Sequence, residues 1–500
     1  MTIPFSTVPD NVRVGLFFVE FDNSMANHAA NAQRTLLIGG MLASGSATPG
    51  IPVRAASPDT VGELAGKGSL LQAMMTAYRK NDPAADVWIL PLKEEAGTMV
   101  AATGSIKVTS VPTATGVVSL YIAGACIRQT VVATDKVDGI AAALVKVINE
   151  QSLLPVTAKV ERDTVKLTAK NLGAVGNSID LRLNFLGSAG GEATPAGLTL
   201  TITPMSGGSG APGITSVLGN LQDQGFDFIV NPYDDTASLD AIKAFLSDVG
   251  GRWAWDKQLY GHAFTTLTGT YAQLGTKGQA RNNQHETIMG VNKSPSPPWA
   301  WSAAYTGAAA VSLRNDPARP VQSLAVQGVL APVLHDRFEL TERNSLLYSG
   351  ISSFTVDDDG TIRLENLITT YQKNRYGNGD DSYLEVETLF NLMFVTRYLR
   401  TAVTSKFGRM SLAANGTRFA PGAAIVTPNV IKADQIAEYG NLVWNGYAQD
   451  AEAFAKHIIV EQNAKNPNRV DVLWPGTLMN QLRVFALLNQ FRTRAESTGV

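Results

Sequence analysis

The chain has a single cysteine, Cys126, in 500 residues. No intrachain disulfide framework and no thiolate metal cluster can be built from it. Its simplest reading is a small buried hydrophobe within Tyr121–Val132. An excess of charge is missing as well, since 41 Lys and Arg stand against 43 Asp and Glu. That balance provides no basic field for nucleic acid or an anionic membrane surface. No run of about 18 apolar residues is available to cross a bilayer. The first residues lack a basic segment followed by an apolar one, so no signal peptide is expected, and the product is expected to stay in a reducing cytoplasm.

Catalytic patterns are equally scarce. The five histidines (His28, His262, His285, His335, His457) include no i, i+4 ligand pair. His285-Glu286 lacks the second histidine of a zinc-protease helix, and no G-x-S-x-G is present. Gly208-Ser209-Gly210-Ala211-Pro212-Gly213 fits G-x-G-x-x-G, with Asp234 and Asp235 some twenty residues on. A glycine-rich domain linker explains it better, because Pro212 removes an amide that a phosphate would need. Gly66-Lys67-Gly68-Ser69 lacks the upstream glycine of a phosphate loop, Gly62 being too close, and reads as a helix N-terminal turn. Asp357–Asp359 with Asp380 and Asp381 lack the alternate-residue spacing of a calcium loop and suit a solvated turn. No catalytic residue, cofactor site or metal site is expected.

What the sequence does hold is an ordinary globular balance, 45% hydrophobic and 17% charged, at a length suited to about three domains. Strand-like Leu36–Ile38, a helix over Gly68–Lys80 capped by Ser69, and strand-like Val87–Leu90 open an α/β unit. From 97 to 211 the chain turns rich in Thr, Val and Gly, with alternating strands and one helix over Asp135–Glu150. The α/β rhythm then resumes as far as the Ala-rich helix Trp299–Arg314. The expected fold is therefore an α/β core (33–96 with 212–316) interrupted by a strand-rich α+β insertion (97–211). An α+β C-terminal domain (317–475) follows. It holds a hairpin at Asp357–Gly360, helices Leu384–Phe407 and Val430–Tyr447, and strand-like runs at Ala453–Val460 and Val470–Trp474.

The two ends (1–32 and 476–500) read as arms. Val12–Asp22 is β-branched and aromatic, with Val12, Val14, Leu16 and Phe18 on one face and Phe17, Val19 and Phe21 on the other. Pro4 and Pro9 stiffen the lead-in, Asn23–Ala32 forms a loose leash, and no partner strand lies at hairpin distance. Leu482–Phe491 is a second apolar extended stretch, carrying Leu482, Val484, Phe485, Leu487 and Phe491. Both require partners elsewhere, in this chain or in another copy.

An arm ending Val19-Glu20-Phe21-Asp22-Asn23-Ser24, the run Arg34-Thr35-Leu36-Leu37-Ile38-Gly39, an interrupted α/β core and the hairpin segment Leu347–Tyr371 occur here in that order. This order resembles the tail sheath proteins of contractile-tailed bacteriophages, closest to the Mu-like branch, over essentially the whole chain. The resemblance implies a non-enzymatic homo-oligomer of stacked hexameric rings around a tail tube protein, bounded by baseplate and tail terminator proteins. It implies contraction that drives the tube through the host envelope, arms that complete neighbours' sheets, and an insertion facing outwards. Localisation would be the virion tail, with assembly in the host cytoplasm. A nucleotide-binding α/β enzyme using Gly208–Gly213, and a non-contractile tube or shell protein, are the competing readings.

Overall fold

The computed structural model describes residues 33–493. Five parallel strands, Thr35–Gly40, Val87–Leu92, Phe228–Val230, His262–Thr268 and Glu286–Val291, form the central sheet, with the short antiparallel Val53–Arg54 at one edge. Across the sheet the parallel strands lie in the doubly wound order 2-1-3-4-5, counted along the chain. Leu36–Ile38 and Ile89–Leu92 are buried throughout, as strands covered on both faces must be.

Strand alternation divides the core. Leu37, Ile89, Phe228 and Val230 point towards helices Leu70–Arg79 and Pro298–Asn315. Leu36, Ile38, Leu90 and Ile229 point to the opposite side, against Leu218, Ile242 and Leu246. Ser69 caps the first of these helices, as expected, by accepting from the Gln72 amide at 3.2 Å. The alanines of 298–315 let that helix lie close to its neighbour. A Cβ at Gly307 would stand 2.8 Å from the Tyr78 carbonyl.

Between strands Val87–Leu92 and Phe228–Val230 the chain builds two further antiparallel sheets. One is four-stranded, in the order Thr199–Ser206, Thr103–Ser110, Thr164–Ala169, Val156–Glu161. The other is three-stranded, in the order Ala125–Val131, Gly116–Ile122, Leu181–Leu183. Helix Val137–Glu150 covers them with Ile140, Leu144 and Ile148. Cys126 corrects the sequence reading: it is exposed, because alternation along Ala125–Val131 sends Ile127 and Val131 inwards and Cys126 out.

Beyond the core, strands Ser353–Val356 and Ile362–Asn366 pair across the expected Asp357–Gly360 turn, where Gly360 takes φ +86°. Helices Val386–Phe407 and Pro428–Trp444 follow. A second correction falls at Ala453–Val460. Ala451–His457 is a helix, capped by Asp450, and only Ile459–Gln462 is a strand.

Candidate assembly interface

The long helix Val386–Phe407 is a wall shared by two cores. Val386, Phe390 and Met393 belong to the core under the central sheet, and Phe390 stacks on Phe228 with ring centroids 4.9 Å apart. Val395, two residues on, belongs to a separate core with Tyr439, Leu442, Phe454 and Ile458. A buried ion pair from Arg397 to Asp227 ties the same helix to the sheet. Burial pushes the Asp227 carboxyl up, and the Arg397 charge pulls it part of the way back. Near its end, Lys406 reaches Asp434 and Glu438 on helix Pro428–Trp444.

The second core is built on aromatics. Tyr439 and Phe454 stack at 3.7 Å, and the Trp474 ring stands edge-on to both. The Tyr439 hydroxyl donates to the Gln449 carbonyl at 2.5 Å and accepts from the Thr477 amide at 3.0 Å. This cluster fixes the base of the two-stranded ribbon Ile459–Gln462 and Val470–Leu473. Asn463 and Arg469, at its turn, both hold Asp471. Among the described residues neither outer edge of the ribbon is paired, and Ile459, Val472 and Leu473 remain exposed. An isolated pair of strands is marginal in water, so this ribbon is an incomplete sheet.

The C-terminal segment Leu482–Phe491 forms neither a helix nor a paired strand. Leu482, Val484, Phe485, Leu487, Leu488 and Phe491 are 74–83% exposed. Trp444, at the end of its helix, is 90% exposed. Side chains of this size held in water mark contact surfaces. The N-terminal arm residues Val12, Val14, Leu16, Phe17, Phe18, Val19 and Phe21 lie outside the described residues, so the two arms are not brought together here. Arg483 was not singled out from the sequence, although it is the only charge in the apolar run 482–491. It bridges Glu385 and Glu387, 2.7 Å from an oxygen of each.

At two places where an α/β enzyme could hold a ligand, this chain's own groups make the contacts. At the switch point of the sheet, beyond Gly40 and Val230, Glu94 accepts from the Asn171 side chain at 2.7 Å and from the Leu172 amide at 2.8 Å. A Cβ at Gly40 would lie 2.0 Å from Glu94 Oε1. Burial pushes the Glu94 carboxyl up to about 7, against the pull of those two hydrogen bonds. In Gly208–Gly213 the backbone is also engaged. The Gly208 amide donates to Asn177 Oδ1 at 2.8 Å, Ser209 and Val100 exchange backbone bonds, and Gly210 O accepts from Ala174. These groups hold the returning strand of 103–206, so the Gly208 and Ser209 amides are engaged within the chain.

The family described as phage tail sheath protein central domain matches residues 207–370. The Mu-like prophage FluMu tail sheath protein of Haemophilus influenzae is 39% identical over 493 residues, covering 98% of this chain and 100% of that protein. The chain belongs to the phage tail sheath family. The sheath protein is thus a structural component of a contractile phage-like tail, as the resemblance in its sequence implied. Among solved structures, the sheath tail protein of Desulfitobacterium hafniense covers 94% of this chain and 97% of its own, at 14% identity and TM-score 0.47. The anti-feeding prophage helical sheath in the contracted state covers 97% of this chain and 100% of its own, at 11% identity and TM-score 0.47.

Proposed function

We propose that this sheath protein polymerises as stacked hexameric rings around a tail tube, from a baseplate to a tail terminator, in the host cytoplasm. Contraction of the finished tail then drives the tube through the host envelope and allows genome ejection. In this reading 33–96 and 212–316 form the sheath body, 97–211 faces outwards, 317–475 lies nearest the tube, and 1–32 and 476–500 are exchanged arms. The observation that carries it is the coexistence, among the described residues, of an apolar segment left in water and a two-stranded ribbon with both edges open.

Strand addition matches these two parts, since backbone amides supply pairing and alternate side chains supply hold. Each net hydrogen bond contributes only about 0.5–1.5 kcal/mol. Burying a side chain such as Phe485 contributes about 1.5–3 kcal/mol, so the apolar residues carry most of the grip. The energy of contraction is stored in a metastable extended polymer rather than drawn from a nucleotide.

Negative-stain microscopy of the purified full chain tests the reading. Hollow helical tubes forming without nucleotide are expected. Deleting Met1–Asn23, or making V484D/F485D, is expected to leave folded subunits that form no tubes. Tubes of ordinary stability from both variants would overturn arm exchange.

A further inference from the structure

We propose that Arg483 is a clasp that fixes the point where the C-terminal arm leaves the body, so that the arm sets out towards its neighbour in one direction. This rests on reading 482–491 as an assembly arm. Exposure alternates along 481–484, with Gln481 and Arg483 partly buried and Leu482 and Val484 exposed, the pattern of side chains pointing in turn to opposite sides. Arg483 is 15% exposed at its side chain, while its neighbours Leu482 and Val484 stand in water at 74% and 80%. One side of the chain is thus held down at this residue and the other left free.

The receptor for Arg483 is built before the arm arrives. Glu385 and Glu387 sit at the N-terminus of the long helix Val386–Phe407, where the helix dipole favours carboxylates. Glu387 is fully buried and accepts from the Val321 amide at 2.7 Å through its other oxygen. Arg483 Nη2 lies 2.7 Å from Glu385 Oε2 and 2.7 Å from Glu387 Oε2. The two carboxylates repel each other, and burial adds to that cost, pushing the Glu385 carboxyl up. A single guanidinium relieves both effects. Both contacts are made by the one Nη2, at the end of a side chain longer than a lysine's, while Nε and Nη1 are buried without a hydrogen-bond partner among the described residues. The arm therefore closes a charge deficit in its own body at the residue from which its apolar surface begins.

A clasp of this kind shortens the search of the arm. A tether starting at a fixed point samples fewer directions than one free from Met479, whose amide bonds the Tyr447 carbonyl. The test compares four full-length or truncated proteins: wild type, R483Q/E385Q/E387Q, R483K, and a chain ending at Arg483. The triple substitution removes the ion pair without stranding a buried charge. Critical concentration for tube formation is read by sedimentation, body stability by thermal melting, and arm order by hydrogen exchange over 479–491.

The triple variant is expected to melt near wild type, to exchange faster over 479–491, and to need about tenfold more protein to form tubes. R483K is expected to fall between it and wild type. If the truncated chain forms tubes normally, the arm reading itself fails. If truncation abolishes tubes while the triple variant assembles at the wild-type concentration, the clasp alone is overturned.

Discussion

Glu94 is a carboxyl group held by two neutral amides in a largely buried place, and its ionisation is linked to folding. Its ordinary value of 4.5 is raised to about 7, so the native state keeps a proton that the unfolded chain has released. The stability this contributes is complete below pH 4.5 and is lost as pH rises through 7, a linkage of the order of 3 kcal/mol. E94Q is therefore expected to gain on wild type as pH goes from 5 to 8, measured by urea unfolding at each pH. His262 acts in the other direction. Burial holds its ring neutral, well below its ordinary 6.5, so its contribution is present above pH 6.5 and is lost as pH falls. The Arg397–Asp227 pair gives a larger effect. R397A strands a buried carboxylate and is expected to cost about 3–5 kcal/mol by denaturant unfolding. None of these pairings was legible in the sequence. Glu94 meets Asn171 across 77 residues and Arg397 meets Asp227 across 170, and no local pattern encodes such a separation.

Elements were more readable where one physical signal dominated. The continuous apolar runs of the central strands and the Asp-Gly turn at 359–360 announce buried parallel strands and a hairpin. Ala451–His457 did not, because the β-branched run Ile458–Val460 that follows it drew the reading towards a strand. The helix depends instead on Asp450, which takes a left-handed conformation (φ 62°) and caps it through the Ala453 amide. Leu482–Phe491 was legible as an apolar stretch, and it forms no paired strand in the single chain. The ribbon 459–473 yields a direct prediction at this scale. Its edge amides are expected to exchange quickly in free subunits and to become protected in the polymer, by hydrogen exchange with mass spectrometry. Equal exchange in both states would show that these edges take no strand.

For the whole molecule, the arrangement of the inserted sheets makes its own prediction. Val100 and Ser209 exchange backbone hydrogen bonds of 3.0 and 3.2 Å, so the two crossings between body and insertion lie side by side. Replacing 101–208 with a short glycine linker is expected to preserve the central sheet and yield narrower tubes, measured as outer diameter by electron microscopy. Such a variant is also expected to melt lower, since Asn171 and Leu172 no longer hold Glu94. An unchanged diameter would place the insertion elsewhere than on the outside. The shared helix has a different consequence. Its 22 residues span about 33 Å. Its Phe390 and Arg397 are seated on the sheet, and its Lys406 is fastened to the neighbouring helix that carries the ribbon. A pull on the ribbon therefore loads this helix as a strut and reaches the sheet with little give on the way. In the proposed contraction the described body would then turn as one stiff crank.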